Sequence, residues 1–205
     1  MTLLRRRVIG ALAVLATLAT SACAVPGQGD PGVAATYAGR VVSEQQVLDM
    51  SQAYADLGTT SGGVGAPLTM LVLGPDLIAA AEKLGMAISD DKLKSKAQEW
   101  IDYNRNGGKV TPAGVELVHD LLAVYYLMSS TDGIAILEKA GLDAETGVVA
   151  SPRYGVFTQV QYTKTVNAGI NDIVAGKTSL GDLVFTPFRQ ISGFAGASPT
   201  WVSGG

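Results

Sequence analysis

The run from Pro67 to Leu84 is apolar almost all the way round, and no other stretch limits the fold so sharply. A helix without a polar face has to be covered on every side, so this segment is expected to be the most buried. Gly74-Pro75 interrupts it. Pro75 removes a backbone donor and disfavours helical geometry at Gly74, which predicts a kink or two short helices.

The other helical segments carry one apolar face each and announce their own starts. Ser43-Glu44-Gln45-Gln46 is a capping box, followed by Val47, Met50, Tyr54 and Leu57 on one stripe. Gly58 to Gly63 reads as a loop. Ser89 with Asp90 and Asp91 behind it marks a further N-cap, the acids favouring the positive end of the helix dipole. Leu93, Ala97, Trp100 and Ile101 then form an apolar face, with Lys92, Lys94, Lys96 and Glu99 outward. After a polar loop from Asn104 to Lys109, Thr111-Pro112 places a cap and a first-turn proline. Val115, Val118, Leu122, Tyr125 and Met128 run down that helix, Leu117, Leu121 and Val124 widen the face, and Glu116, His119 and Asp120 form its polar edge. Thr131-Asp132 caps a short helix expected to stop at Gly141-Leu142.

Two stretches read as extended. Val33 to Val42 predicts two short strands, or one with a tight turn at Gly39, and Gly147 to Phe157 predicts a strand that Pro152 confines to an edge or bulge. Val166, Ile170, Ile173 and Val174 suit a helix ending near Gly176. Beyond Lys177 no period holds around Phe185, Phe188, Phe194 and Trp201. The Gly and Ser content there leans toward disorder, the alternative being an aromatic tail folded back into a groove as an internal ligand.

Composition excludes more than any motif supports. The only cysteine is Cys23 and the only histidine His119, which removes disulfides, a downstream thiolate nucleophile and two-histidine metal sites. No cofactor is expected, and no catalytic motif stands out. His119 lies one turn from Glu116, but a general base needs a surrounding constellation, so the chain reads as no enzyme unless a cleft gathers both with a third polar group. The formal charge is −3; without Arg5, Arg6 and Arg7, 12 basic residues face 18 acidic ones, or −6. Such a body is a poor nucleic-acid binder, because neutralising phosphates needs clustered Lys and Arg.

The N-terminus predicts the location. Arg5-Arg6-Arg7 and the apolar run Val8 to Leu18 have the order of an export signal, and the run is too short for a span of about 20 residues. Small residues lead from it into Cys23. That arrangement resembles the lipobox of bacterial lipoproteins, with Thr20 where the family prefers an aliphatic residue. The resemblance implies cleavage before Cys23 and acylation of its thiol, which would anchor the chain on the extracytoplasmic face of the cell membrane. Two acyl chains suffice for stable anchoring, since each buried methylene contributes about 0.8 kcal/mol. The expected organisation is residues 1–22 signal, 23–32 flexible tether, 33–157 helical domain, and 158–205 C-terminal helix with a Gly/Ser/Pro-rich tail.

Ala35-Thr36-Tyr37-Ala38-Gly39-Arg40-Val41-Val42-Ser43 through Val47 resembles the opening of SurA-like N-terminal chaperone domains, in which a strand turns into the first helix. Ala38 stands where that pattern has Asn. Val149 to Phe157, with Pro152-Arg153-Tyr154-Gly155, is similar to the closing strand in secreted lipoproteins of this group from high-G+C Gram-positive bacteria. The resemblance implies a mainly α fold, a multi-helix body with a small antiparallel pairing of its N-terminal and C-terminal strands. It also implies binding of unfolded or extended polypeptide in an apolar groove. The tail is too short for a parvulin isomerase domain, so no isomerase activity is expected. Candidate groove residues are Met50, Tyr54, Met70, Trp100, Tyr125, Met128, Arg153 and Tyr154; packing in the core is the competing reading for the methionines and aromatics. An adaptor holding one specific envelope protein is the competing function.

Overall fold

The computed structural model describes residues 32–58, 63–104, 107–177 and 191–196. The predicted signal, Cys23, nearly all of the tether, and Phe185, Phe188 and Trp201 lie outside them. The fold is mainly α with a small antiparallel sheet. In chain order the elements are β1 (Val33–Tyr37), β2 (Arg40–Ser43), α1 (Glu44–Asp56), α2 (Gly65–Lys83), α3 (Asp90–Asn104), α4 (Pro112–Met128), α5 (Thr131–Gly147), β3 (Val149–Ala150), β4 (Val156–Phe157), α6 (Gln159–Val174) and β5 (Phe194–Ala195).

The hairpin β1–β2 turns at Ala38-Gly39, with φ of 49° and 76°. Positive φ at both central residues matches the right-handed twist of the flanking strands, and glycine takes it freely while alanine does not. β1 also pairs with β3, Ala35 opposite Ala150 and Thr36 opposite Val149, so the two ends of the helical body meet in one sheet. The chain then enters α1 through the capping box. Ser43 Oγ accepts from the Gln46 amide at 3.1 Å, and Gln46 Oε1 accepts from the Ser43 amide at 2.8 Å.

Three expectations are corrected. α2 is one helix from Gly65 through Pro75 to Lys83, which excludes the second of the two expected outcomes, a division into two short helices. Pro75 weakens the ladder there, and Arg40 reaches in from the hairpin. Its guanidinium donates to the Val72 carbonyl at 2.9 Å and grips both Asp76 oxygens at 2.8 and 2.7 Å. α5 starts at the Ser130 cap and runs through Gly141 to Gly147. Gly141 is no stop; a Cβ there would lie 2.6 Å from the Tyr162 ring, so glycine lets α6 pack close. Finally, Gly147 to Phe157 is not one strand: Gly147 ends α5, and a 3-10 turn at Pro152–Tyr154 separates β3 from β4. Pro152 starts that turn, where its fixed φ fits and no ladder donor is lost.

α4 is the centre. α1, α2, α3, α5 and α6 all pack on it, and Leu117, Val118, Leu121, Ala123, Val124 and Leu127 have no exposure. Burying each Leu or Val contributes about 1.5–3 kcal/mol. α5 leaves it at a bend of 118°, and no single described helix is long and apolar enough to cross a membrane. The expected boundary at residue 157 divides no core: Tyr162, Val166, Ile191 and Phe194 belong to the same cluster as the residues before it.

The turn gives the first prediction. Ala38→Asn, which tolerates left-handed backbone, should stabilise the protein by up to about 1 kcal/mol in chemical unfolding; a loss of stability would contradict this account of the hairpin.

Candidate functional site

A cleft of about 630 Å³ opens between the first turns of α3 and α4. Leu93, Val110, Pro112 and Val115 give it apolar walls, and Asp90, Lys94, Thr111, Glu116 and His119 add polar groups. The size is that of a typical small-ligand pocket. Two local features bring the helix starts together. Thr111 Oγ1 caps α4 by accepting from the Gly114 amide at 3.0 Å, which fixes the direction in which the helix leaves. Before it, Gly108 passes so close to α1 that a Cβ would lie 2.3 Å from the Asp56 carbonyl oxygen. Past that point Val110, Thr111 and Pro112 line the cleft with Asp90, Leu93 and Lys94 from the start of α3.

The cleft does gather Glu116 and His119 with further polar groups. Partial burial raises the pKa of Glu116 above the usual carboxylate value. His119 Nε2 is buried with no hydrogen-bond partner among the described residues. The Thr111 hydroxyl is engaged in capping, and no group of three or more His, Cys, Asp or Glu among the described residues is placed to hold a metal. The cleft can therefore accept an apolar group flanked by the polar side chains of Asp90, Lys94, Glu116 and His119.

One turn beyond Glu116, Asp120 is 1% exposed and neither carboxyl oxygen has a donor among the described residues. It faces Gly74 of α2, where a Cβ would lie 2.2 Å from Asp120 Oδ1; Gly74 is the space this carboxyl occupies. Burial above all, then the nearby Glu116 charge, pushes its pKa well above the usual value. Burial raises Tyr54 too, with the Asp120 charge second. An ionised Asp120 would be a buried charge without a counter-ion, so the native state favours the neutral acid.

The groove residues expected from sequence fare differently. Met50 (0% exposed), Tyr54 (1%), Met70 (0%), Trp100 (1%), Met128 (2%) and Tyr154 (0%) are sealed in the core and line no open groove. Tyr125 is half-buried and packs against that core. Arg153 is exposed and pairs with Glu44 at 3.0 Å, tying the 3-10 turn to the start of α1. The cleft instead uses Leu93 and Val115, which the helical stripes assign to core faces. Gly107-Gly108 was the available signal, since paired glycines permit the close passage next to it.

Comparison with protein-family models, curated proteins and solved structures gives no match to this chain. Its functional reading rests on its own residues.

Asp120 yields the second prediction. Its folded pKa lies above the unfolded one, so its contribution is fully present below about pH 4 and is lost as pH rises toward the folded pKa. Stability should fall with pH above that point by up to about 1.4 kcal/mol per unit. Asp120→Asn should remove most of this slope, leaving the same-signed share of Glu116; an unchanged slope in urea unfolding from pH 4.5 to 7 would refute a neutral Asp120.

Proposed function

We propose that this protein is a lipoprotein, anchored through acylated Cys23 at the extracytoplasmic face of the cell membrane, whose helical body binds unfolded or extended polypeptide without transforming it. The observation that carries the binding reading is the open cleft at the start of α3 and α4. Apolar walls from Leu93, Val110 and Val115 suit a client's apolar side chain, and the rim offers both signs of charge in Asp90, Glu116 and Lys94. An extended segment presents the same combination, apolar side chains alternating with unpaired backbone groups. Two-chain acylation would hold the cleft near the membrane, raising its effective concentration for chains emerging there.

A second reading has its own observation. The cleft brings Glu116, His119 and Asp90 together, the constellation through which acid–base chemistry would run. The polypeptide reading is preferred because the cleft lining contains no serine or cysteine, and its one hydroxyl, on Thr111, is engaged in capping α4.

Cys23→Ala should move the protein from the membrane fraction to the soluble one; retention at the membrane would contradict the anchor. Soluble protein lacking the acylated cysteine should suppress aggregation of an unrelated unfolded client in light scattering. Val115→Glu, which puts a charge against the apolar walls, should cut that effect at least about fivefold, while His119→Ala should leave it intact. No suppression at several-fold molar excess refutes the binding reading.

A further inference from the structure

Residues 191–196, Ile-Ser-Gly-Phe-Ala-Gly, lie in a seat formed by α2, β4 and α6. Ile191 is fully buried and Phe194 nearly so, the latter edge-on to the Phe157 ring with centroids 5.4 Å apart. β5 pairs antiparallel with β4, Val156 opposite Ala195 and Phe157 opposite Phe194. The body holds the segment mainly by its backbone. The Thr158 amide donates to the Gly193 carbonyl at 2.8 Å, Thr69 Oγ1 accepts from the Gly193 amide at 3.0 Å, and Thr165 Oγ1 accepts from the Ser192 amide at 3.2 Å.

We propose that this seat is a second polypeptide-binding site, suited to an extended segment of another chain, which residues 191–196 occupy in cis. Both threonine hydroxyls are oriented by their own helices. Thr69 donates to the Gly65 carbonyl at 2.7 Å and Thr165 to the Tyr162 carbonyl at 2.8 Å, so each presents a lone pair to the seat whatever fills it. β4 has no other strand partner among the described residues, so a segment there adds a strand to a sheet edge, a recurrent way of binding peptides. Main-chain bonds accept many sequences, and the side-chain requirements are narrow. Two apolar residues three apart fill the pockets of Ile191 and Phe194. Directly before the second of them only glycine fits, because a Cβ at Gly193 would lie 2.1 Å from the Phe157 ring. The seat shares no residue with the α3–α4 cleft.

A cis occupant competes at the high effective concentration that a tether gives. The intact chain should therefore bind a trans peptide weakly until its own segment is expelled. The test uses the full chain, its Gly193→Val variant and the Ile191→Ser/Phe194→Ser double variant, titrated with a fluorescent peptide spanning residues 188–198. Both variants should bind at least about tenfold more tightly than the unmodified chain. The same peptide carrying Gly193→Val should not bind. Val115→Glu, added to every chain compared, removes peptide bound at the cleft, so the difference that remains belongs to the seat, which separates failure here from failure of the cleft reading. Folded variants that do not bind, or all chains binding equally, would overturn the proposal. So would an unmodified chain that sediments as a strand-exchanged dimer which the peptide cannot dissociate, because the seat then serves a second copy. Should both variants unfold, hydrogen exchange on the unmodified chain decides. The Thr158 and Gly193 amides should exchange well before those of α4, and exchange at the global rate refutes a removable segment.

Discussion

Desolvation of α4 is the constraint on which the rest of the structure depends. Helices on all sides cover it, and its apolar side chains are the common surface against which α1, α2, α3, α5 and α6 are placed. A helix apolar over most of its circumference is stable in water only when so enclosed. The strand pairing of β1 with β3 then closes the body by joining segments more than a hundred residues apart, and the Arg153–Glu44 ion pair adds a second, weaker tie at that junction.

The polar residues of α4 stand out against that background. Glu116 and His119 escape the enclosure at the cleft, whereas Asp120 is trapped beneath Gly74. A buried carboxyl without a donor costs stability, and keeping its proton is the cheaper state. The α2–α4 contact consequently carries a pH dependence that a wholly apolar interface would lack. On the far side of α2, Arg40 braces the turn that Pro75 weakens, so one helix is held by a hairpin guanidinium at one face and accommodates a carboxyl at the other.

Much of this architecture was legible in the residues, because caps and stripes are local signals. Ser43 with Gln46, Thr111 with Pro112, and the face Leu93, Ala97, Trp100, Ile101 are all where pattern places them. In the helices, tertiary contacts overrode local preference, whereas the break between Gly147 and Phe157 follows from Pro152 itself. Pro75 did not break α2, which is held by burial and by Arg40 on the Val72 carbonyl, next to the Leu71 carbonyl that loses its donor; Gly141 did not end α5, since it makes room for Tyr162. The candidate groove was read from residue type, and methionines and aromatics at helical spacing serve a core as readily as a groove. The cleft lies next to the close passage of Gly108 against Asp56, and the seat of residues 191–196 depends on contacts spanning 124 residues between Thr69 and Gly193, which no periodicity encodes.

The anchor proposed at Cys23 would hold the α3–α4 cleft beside the membrane, where the proposed clients emerge. On this proposal a client sits at the start of α3 and α4. Amide chemical-shift mapping of the soluble body, titrated with a permanently unfolded polypeptide, tests this most directly. The account predicts saturable shifts concentrated at Leu93, Lys94, Val110, Val115 and Glu116. Shifts spread evenly over the surface, or absent at saturating client, would contradict it.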